Sequence, residues 1–183
     1  MKTDLIILAA GNSTRFQANK LLHLYQGKPL ILHTFDKIDR SKFEHVIVVT
    51  QYSQIAEAAR AYSFDVVINE HPDQGISSSI RLGLQACSSS ECAMFLVADM
   101  PGLSVKTIDH MLAAAACDRI VAAYDGGIKN PMLFPKKYWP EIRELQGDQG
   151  AKKIALRHLS SVALIKTEGE ELRDIDSPKD LYY

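Results

Sequence analysis

Several short segments of this chain are apolar at every position, and that feature most constrains its fold. Leu5-Ile6-Ile7-Leu8 and Val46-Ile47-Val48-Val49 have no polar alternation, so strands built from them need cover on both faces, as in a parallel sheet. Strand signals fall at 4–9, 45–50, 65–69, 94–98, 119–123, 131–134 and 162–165. Between them, helical spacing and alanine content predict helices over 30–38, 53–62, 76–87, 105–115 and 149–158. Repeated β-α-β units imply right-handed crossovers and a three-layer α/β/α arrangement with a mostly parallel central sheet. No repeat or linker-like stretch divides the 183 residues, which suit one domain spanning 1–183.

Charge narrows the function classes. Lys and Arg number 21 against 22 Asp and Glu, so no global field favours nucleic acid or a membrane surface. No apolar run approaches the roughly 20 residues of a membrane span. Met1-Lys2-Thr3-Asp4 leads straight into a strand and does not read as a secretory signal. Cys87, Cys92 and Cys117 are sparse and unpaired in spacing; they read as buried or partly buried free thiols in a reducing, cytoplasmic setting. The six histidines lack zinc-ligand spacing.

Sheets of this type bind ligands at the carboxyl ends of their strands, and the informative residues cluster there. The first strand runs into Leu8-Ala9-Ala10-Gly11-Asn12-Ser13-Thr14-Arg15-Phe16, with Lys20 following. Small residues let the backbone approach a guest, and successive amides can cradle phosphate oxygens. Arg15 adds a planar fork and Lys20 a point charge. A small-residue turn carrying two solvated cations is the competing interpretation. The spacing matches neither a P-loop nor a dinucleotide fingerprint. Asp99 ends the strand Met94-Phe95-Leu96-Val97-Ala98 and precedes Met100-Pro101; it reads either as a magnesium ligand or as a turn or cap aspartate. Gly75 and Ser77-Ser78-Ser79 open a helix and can contact a nucleobase or simply cap the helix. Ser177-Pro178 reads as a helix cap with proline at the first position.

Together these motifs resemble the nucleotidyltransferases of the glycosyltransferase-A-like, Rossmann-like nucleotide-diphospho-sugar transferase fold. Leu8-Ala9-Ala10-Gly11-x-Ser13-x-Arg15 with Lys20 and Gly27-Lys28-Pro29-Leu30 carries the general likeness. Asn69 to Arg81, Ala98-Asp99-Met100-Pro101, Gly147-Asp148-Gln149-Gly150-Ala151-Lys152 and Asp174 to Leu181 are similar to the molybdenum cofactor cytidylyltransferases. The resemblance implies a magnesium-dependent transfer of CMP from CTP to the terminal phosphate of molybdopterin or molybdenum cofactor, with release of pyrophosphate. It assigns catalysis to Arg15, Lys20 and Asp99, and magnesium to Asp99 and Asp176. Leu8, Ala9, Ala10, Gly11, Asn12, Ser13, Arg15, Lys20, Gly75, Ser78 and Ser79 would bind the nucleotide, while Asn130, Asp148 and Lys152 would meet the pterin phosphate. A transient contact with a recipient molybdenum enzyme also follows from it.

Two departures bear on these assignments. Relatives commonly carry glycine after an Arg-Met pair where this chain reads Arg15-Phe16-Gln17, and histidine where it has Asn130. Guanylyltransferases of the same pathway usually have a second glycine at the position of Ala10. A methyl group there narrows the pocket and favours a pyrimidine. The alternatives are guanylyl transfer, cytidylyl transfer to a sugar or polyol phosphate, and a non-catalytic nucleotide-binding chaperone.

Overall fold

The computed structural model describes residues 1–12, 16, 19–87 and 89–182. Its strands are β1 (Thr3–Ala9), β2 (Leu24–Tyr25), β3 (Lys28–Pro29), β4 (Val46–Thr50), β5 (Asp65–Ile68), β6 (Cys92–Val97), β7 (Ile120–Tyr124), β8 (Ile128–Pro135) and β9 (Val162–Lys166). The α-helices are α1 (Leu30–Phe35), α2 (Ser53–Ala61), α3 (Ile76–Ala86), α4 (Val105–Ala113), α5 (Trp139–Arg143) and α6 (Lys152–Arg157). Among the described residues, seven strands form one sheet in the order β5-β4-β1-β6-β8-β7-β9. β1 pairs in parallel with β4 on one edge and β6 on the other. β8 is the antiparallel exception, pairing with β6 and β7.

Alternate residues of β1 serve opposite layers, as the two-residue period of a strand requires. Leu5 and Ile7 pack with Leu30 and Phe35 of α1, Ile55 of α2 and Met111 of α4. Ile6 packs on the other side with Ile80 and Leu84 of α3, Trp139 and Ile142 of α5, and Ile154 of α6. The expected three layers and mostly parallel sheet are therefore present, and the all-apolar strands have cover on both faces. Trp139 is a packing residue, 2% exposed, with its indole N–H donating to the Phe134 carbonyl at 3.2 Å.

Several boundaries differ from expectation. The segment expected to be helical over 149–158 becomes helix only at Lys152; the preceding residues form turns beginning at Gly147, whose φ of +57° suits glycine. Pattern alone did not reveal the β2–β3 hairpin, whose turn sets Gln26 and Gly27 at positive φ, nor α5, where Pro140 occupies the first turn without needing a donor. Strand β8 begins earlier than its apolar run. Its register against β7 shifts between Ala122 and Ala123, leaving Asn130 and Pro131 in the irregular stretch, and the peptide joining them is cis. Ser177 does not cap in the expected sense: its hydroxyl and N–H both donate to the Asp180 carboxylate, at 2.8 and 2.7 Å. Cys87 and Cys92 are buried, but Cys117 is exposed. No helix among the described residues is long and apolar enough to cross a membrane.

Gly83 sets how closely α3 lies on the sheet. A Cβ there would stand 2.4 Å from Ile6 Cγ2 and 3.2 Å from Val49 Cγ2, both in close-packed core. Gly83→Ala is expected to destabilise the fold by about 1–3 kcal/mol through overpacking, read as a lower urea midpoint at unchanged slope.

Candidate active site

The carboxyl ends of β1 and β6 open into a cleft of about 540 Å3, within the usual size of small-molecule sites. One wall is the carboxyl end of β1 and the residues that follow it. Leu8, Ala9, Ala10, Gly11 and Asn12 all line the cleft, and the carbonyls of three of them are engaged from the neighbouring strand end. Thr50 Oγ1 donates to the Ala9 carbonyl at 3.0 Å, Gln51 Nε2 to that of Ala10 at 2.8 Å, and Tyr52 Oη to that of Gly11 at 3.0 Å. Gln51 also reaches Asn12 Oδ1 at 2.8 Å. Carbonyl oxygens would repel an anion, so holding them against β4 suits a phosphate-binding loop. Ser13 and Arg15 lie outside the described residues.

Opposite stands Asp99. Its loop is anchored from α1 and the residues beyond it, where Thr34 Oγ1 donates to the Ala98 carbonyl at 3.1 Å and Lys37 Nζ to that of Pro101. Lys20 Nζ meets Asp99 Oδ2 at 2.6 Å, donates to the Ile175 carbonyl at 2.9 Å, and lies 3.6 Å from Asp176 Oδ1. Ile175 N–H in turn donates to the Asp99 carbonyl at 3.0 Å. The first loop, the β6 end and the C-terminal segment thus converge on one cation, whose side chain is 17% exposed. The second Asp99 oxygen, Oδ1, is buried and has no hydrogen-bond partner among the described residues. A buried carboxylate oxygen of this kind is costly unless something meets it.

Among the described residues, no group of three or more histidine, cysteine or acidic side chains forms a ready-made metal cage. Asp99 and Asp176 both line the cleft. This fits a cation of the magnesium type, which takes one or two carboxylates and draws its other ligands from phosphates and water.

A further wall comes from the loop after β5 and the start of α3. Pro72, Asp73, Gly75, Ile76 and Ser79 line the cleft, as does Asp148. Gly75 has φ +78° and ψ −179°, and a Cβ there would be 2.3 Å from the Gly147 carbonyl carbon and 2.7 Å from Asp148 Oδ1. Its glycine identity therefore answers to a close backbone crossing, reinforced by Ser77 N–H donating to the Gly147 carbonyl at 3.1 Å. No serine side chain caps α3. Ser78 is turned away from the cleft lining, with its hydroxyl donating to the Gly75 carbonyl at 2.9 Å. Asn69, 1% exposed, donates its amide to both Ser78 Oγ and Ser79 Oγ at 2.9 Å and accepts from His71 N–H.

The acceptor-side expectations divide. Asp148 lines the cleft, whereas Asn130 and Lys152 do not. Lys152 is exposed at the start of α6. The observed pairing of β6 with β8 ends at Phe95 and Met132, so Asn130 lies just beyond it, in the irregular stretch of β8. Its neighbour Lys129 pairs with Asp125 at 3.4 Å, and its charge opposes, without reversing, the rise in the Asp174 pKa that burial causes; spacing alone did not reveal that contribution. Nor did spacing reveal Gln51, Tyr52 or Asn69, whose parts depend on contacts between separate strands.

Residues 5–162 match the MobA-like NTP transferase domain family. The chain belongs to this family. It is 29% identical over 179 residues to a protein of Pyrococcus horikoshii named a probable molybdenum cofactor guanylyltransferase, with 92% of this chain and 88% of the relative aligned. It is 26% identical to the purine catabolism protein PucB of Bacillus subtilis, over 96% of this chain and 92% of that one. In fold, it superposes with a TM-score of 0.80 on a Mycobacterium tuberculosis protein solved in complex with manganese, at 23% identity over 98% of this chain and 96% of that one. The MobA-like chain is thus a nucleotidyltransferase.

Asp174 precedes Ile175, whose carbonyl takes Lys20. Although the residue as a whole is exposed, desolvation of its carboxyl, followed by the charges of Asp99 and Asp176, raises its pKa from 3.8 to about 6 against the opposing pull of Lys20 and Lys129. In metal-free buffer the folded state therefore holds more protons than the unfolded state between those two values, and stability declines as pH rises through that window. Asp174→Asn should remove that decline. The expected gain at pH 7, discounted for solvent on the outer side of the carboxyl, is about 1 kcal/mol. Urea unfolding at pH 4, 5, 6 and 7 measures it, and parallel pH profiles for the two proteins would contradict it.

Proposed function

We propose that the cleft binds a nucleoside triphosphate with magnesium and transfers its nucleoside monophosphate to the terminal phosphate of a pterin acceptor of the molybdopterin type. The observation that carries this reading is the Lys20–Asp99 pair at 2.6 Å, with Asp99 Oδ1 left unmatched beside a loop whose carbonyls are tied back. The acceptor phosphate is largely ionised at neutral pH, its second pKa being about 6, so its oxygen can attack the α-phosphorus without a protein base. A new phosphorus–oxygen bond forms as the bond to the bridging α–β oxygen breaks, and the electron pair leaves with pyrophosphate. Lys20 and Arg15 would neutralise the triphosphate, and the amides following β1 would fix its position. Asp99 and Asp176 would hold magnesium, which when bound supplies charge neutralisation for an in-line displacement. The manganese complex of the structurally similar mycobacterial protein supports a divalent ion in this fold. Asp148, with Lys129 and Asn130 near the start of β8, would face the acceptor.

CTP is the proposed donor. Ala10 is 5% exposed and lines the cleft, so its methyl group narrows the space for a base. Guanylyl transfer is the second reading, favoured by the name of the Pyrococcus relative. Calorimetric titration with CTP, GTP, ATP and UTP, with and without magnesium, separates them. Magnesium-dependent preference for CTP is the expected outcome; preference for GTP retains the chemistry and moves the base assignment, and no binding of any of the four removes the nucleotide reading. Ala10→Gly should shift the CTP-to-GTP affinity ratio toward GTP by about tenfold, the scale of a methyl-sized change in a pocket.

Asp99→Asn should lower pyrophosphate release by at least about a thousandfold while leaving the circular dichroism spectrum unchanged. Turnover at the parental rate would remove Asp99 from the metal site.

A further inference from the structure

A second cavity, of about 550 Å3, lies on the far side of the wall formed by the loop after β5 and the start of α3. The Pro72–Gln74 turn and the start of α3 separate it from the nucleotide cleft. Pro72 and Asp73 face the cleft, while His71 and Gln74 line the rear cavity. Ser79 faces the cleft and Ser78 the rear cavity, and the buried Asn69 amide holds both hydroxyls at 2.9 Å.

The rear cavity is basic and partly preorganised. Arg81 and Arg143 both line it, and neither makes a salt bridge among the described residues. Arg81 is anchored through Nη1, which donates to the Leu145 carbonyl at 2.5 Å and to Ser77 Oγ at 3.2 Å. Its Nε–Nη2 edge has no hydrogen-bond partner among the described residues. That edge is the planar fork that grips two oxygens of one anion. Glu70 is the single acidic side chain of the lining, set against two arginines and His71. Leu82 and Ile68 supply an apolar margin, and Ile68 is 46% exposed.

We propose that this cavity is a second ligand site, for a small organic phosphate, whose occupancy alters nucleotide affinity through the shared Asn69–Ser78–Ser79 wall. Two arginines match the charge of a phosphate dianion better than that of a single carboxylate, and the Leu82–Ile68 margin suits the organic part. The wall is a direct mechanical link: a ligand drawing on Ser78 or His71 pulls on the Asn69 side chain that also positions Ser79. The binding half stands on the cavity alone. The coupling half rests on the nucleotide reading of the front cleft.

Phenyl phosphate is a suitable probe, titrated into the full chain and followed by backbone amide NMR. Saturable shifts are expected at residues 69–71, 81–85 and 143. Arg143→Gln should weaken them by about tenfold, the scale of losing one charge-assisted contact, and leave nucleotide affinity without the probe unchanged. Shifts confined to residues 8–12 and 99, or insensitive to Arg143→Gln, would overturn the site. Saturating probe should change the affinity for the preferred nucleotide by at least about twofold in the parent and not in Arg143→Gln. An unchanged affinity with the rear site filled overturns the coupling while the site stands. Failure of every nucleotide to bind would instead sink the front-cleft reading, and the rear-site shifts would still be read independently.

Discussion

Everything in this protein is arranged around the double pairing of β1. Both its edges are hydrogen-bonded, to β4 and to β6, and both its faces are buried under helices. A strand held on four sides cannot shift register without moving apolar side chains between layers. Its carboxyl end is therefore a fixed point, and residues 10–12 leaving it inherit that precision. Thr50, Gln51 and Tyr52 extend the restraint beyond the last paired residue by taking the carbonyls of Ala9, Ala10 and Gly11. A ligand meeting residues 10–12 would find their backbone already organised, which lowers the ordering cost of binding.

Charge closes the other side. Lys20 draws the Asp99 carboxylate, the Ile175 carbonyl and Asp176 to one point, tying residues nearly the whole chain apart in sequence. Asp174 adds a further carboxylate whose pKa is raised first by desolvation and then by the charges of Asp99 and Asp176.

The partition between the two cavities is thin. One turn and the first residues of α3 divide the front cleft from the rear cavity, and a single buried asparagine serves both serines. A full hydrogen-bond set keeps such a partition in register, and Gly75 lets the Gly147–Asp148 backbone pack against it. The same economy makes one face sensitive to events on the other.

The all-apolar strands and the helices between them made the parallel three-layer architecture legible from residue type alone, because only cover on both faces can accommodate such strands. Of the residues singled out by motif and resemblance, Ala9–Asn12, Lys20, Gly75, Ser79, Asp99, Asp148 and Asp176 do line the cleft. What needed the tertiary structure were roles set by contacts across the sheet. Ser78 belongs to the partition rather than the cleft lining, Asn69 holds that partition together, and Gln51 and Tyr52 tie back the residues after β1. A motif records which groups lie near one another along the chain. The partner of a buried amide or carboxylate is decided by which strands the fold sets side by side, and that choice is made by the whole core at once.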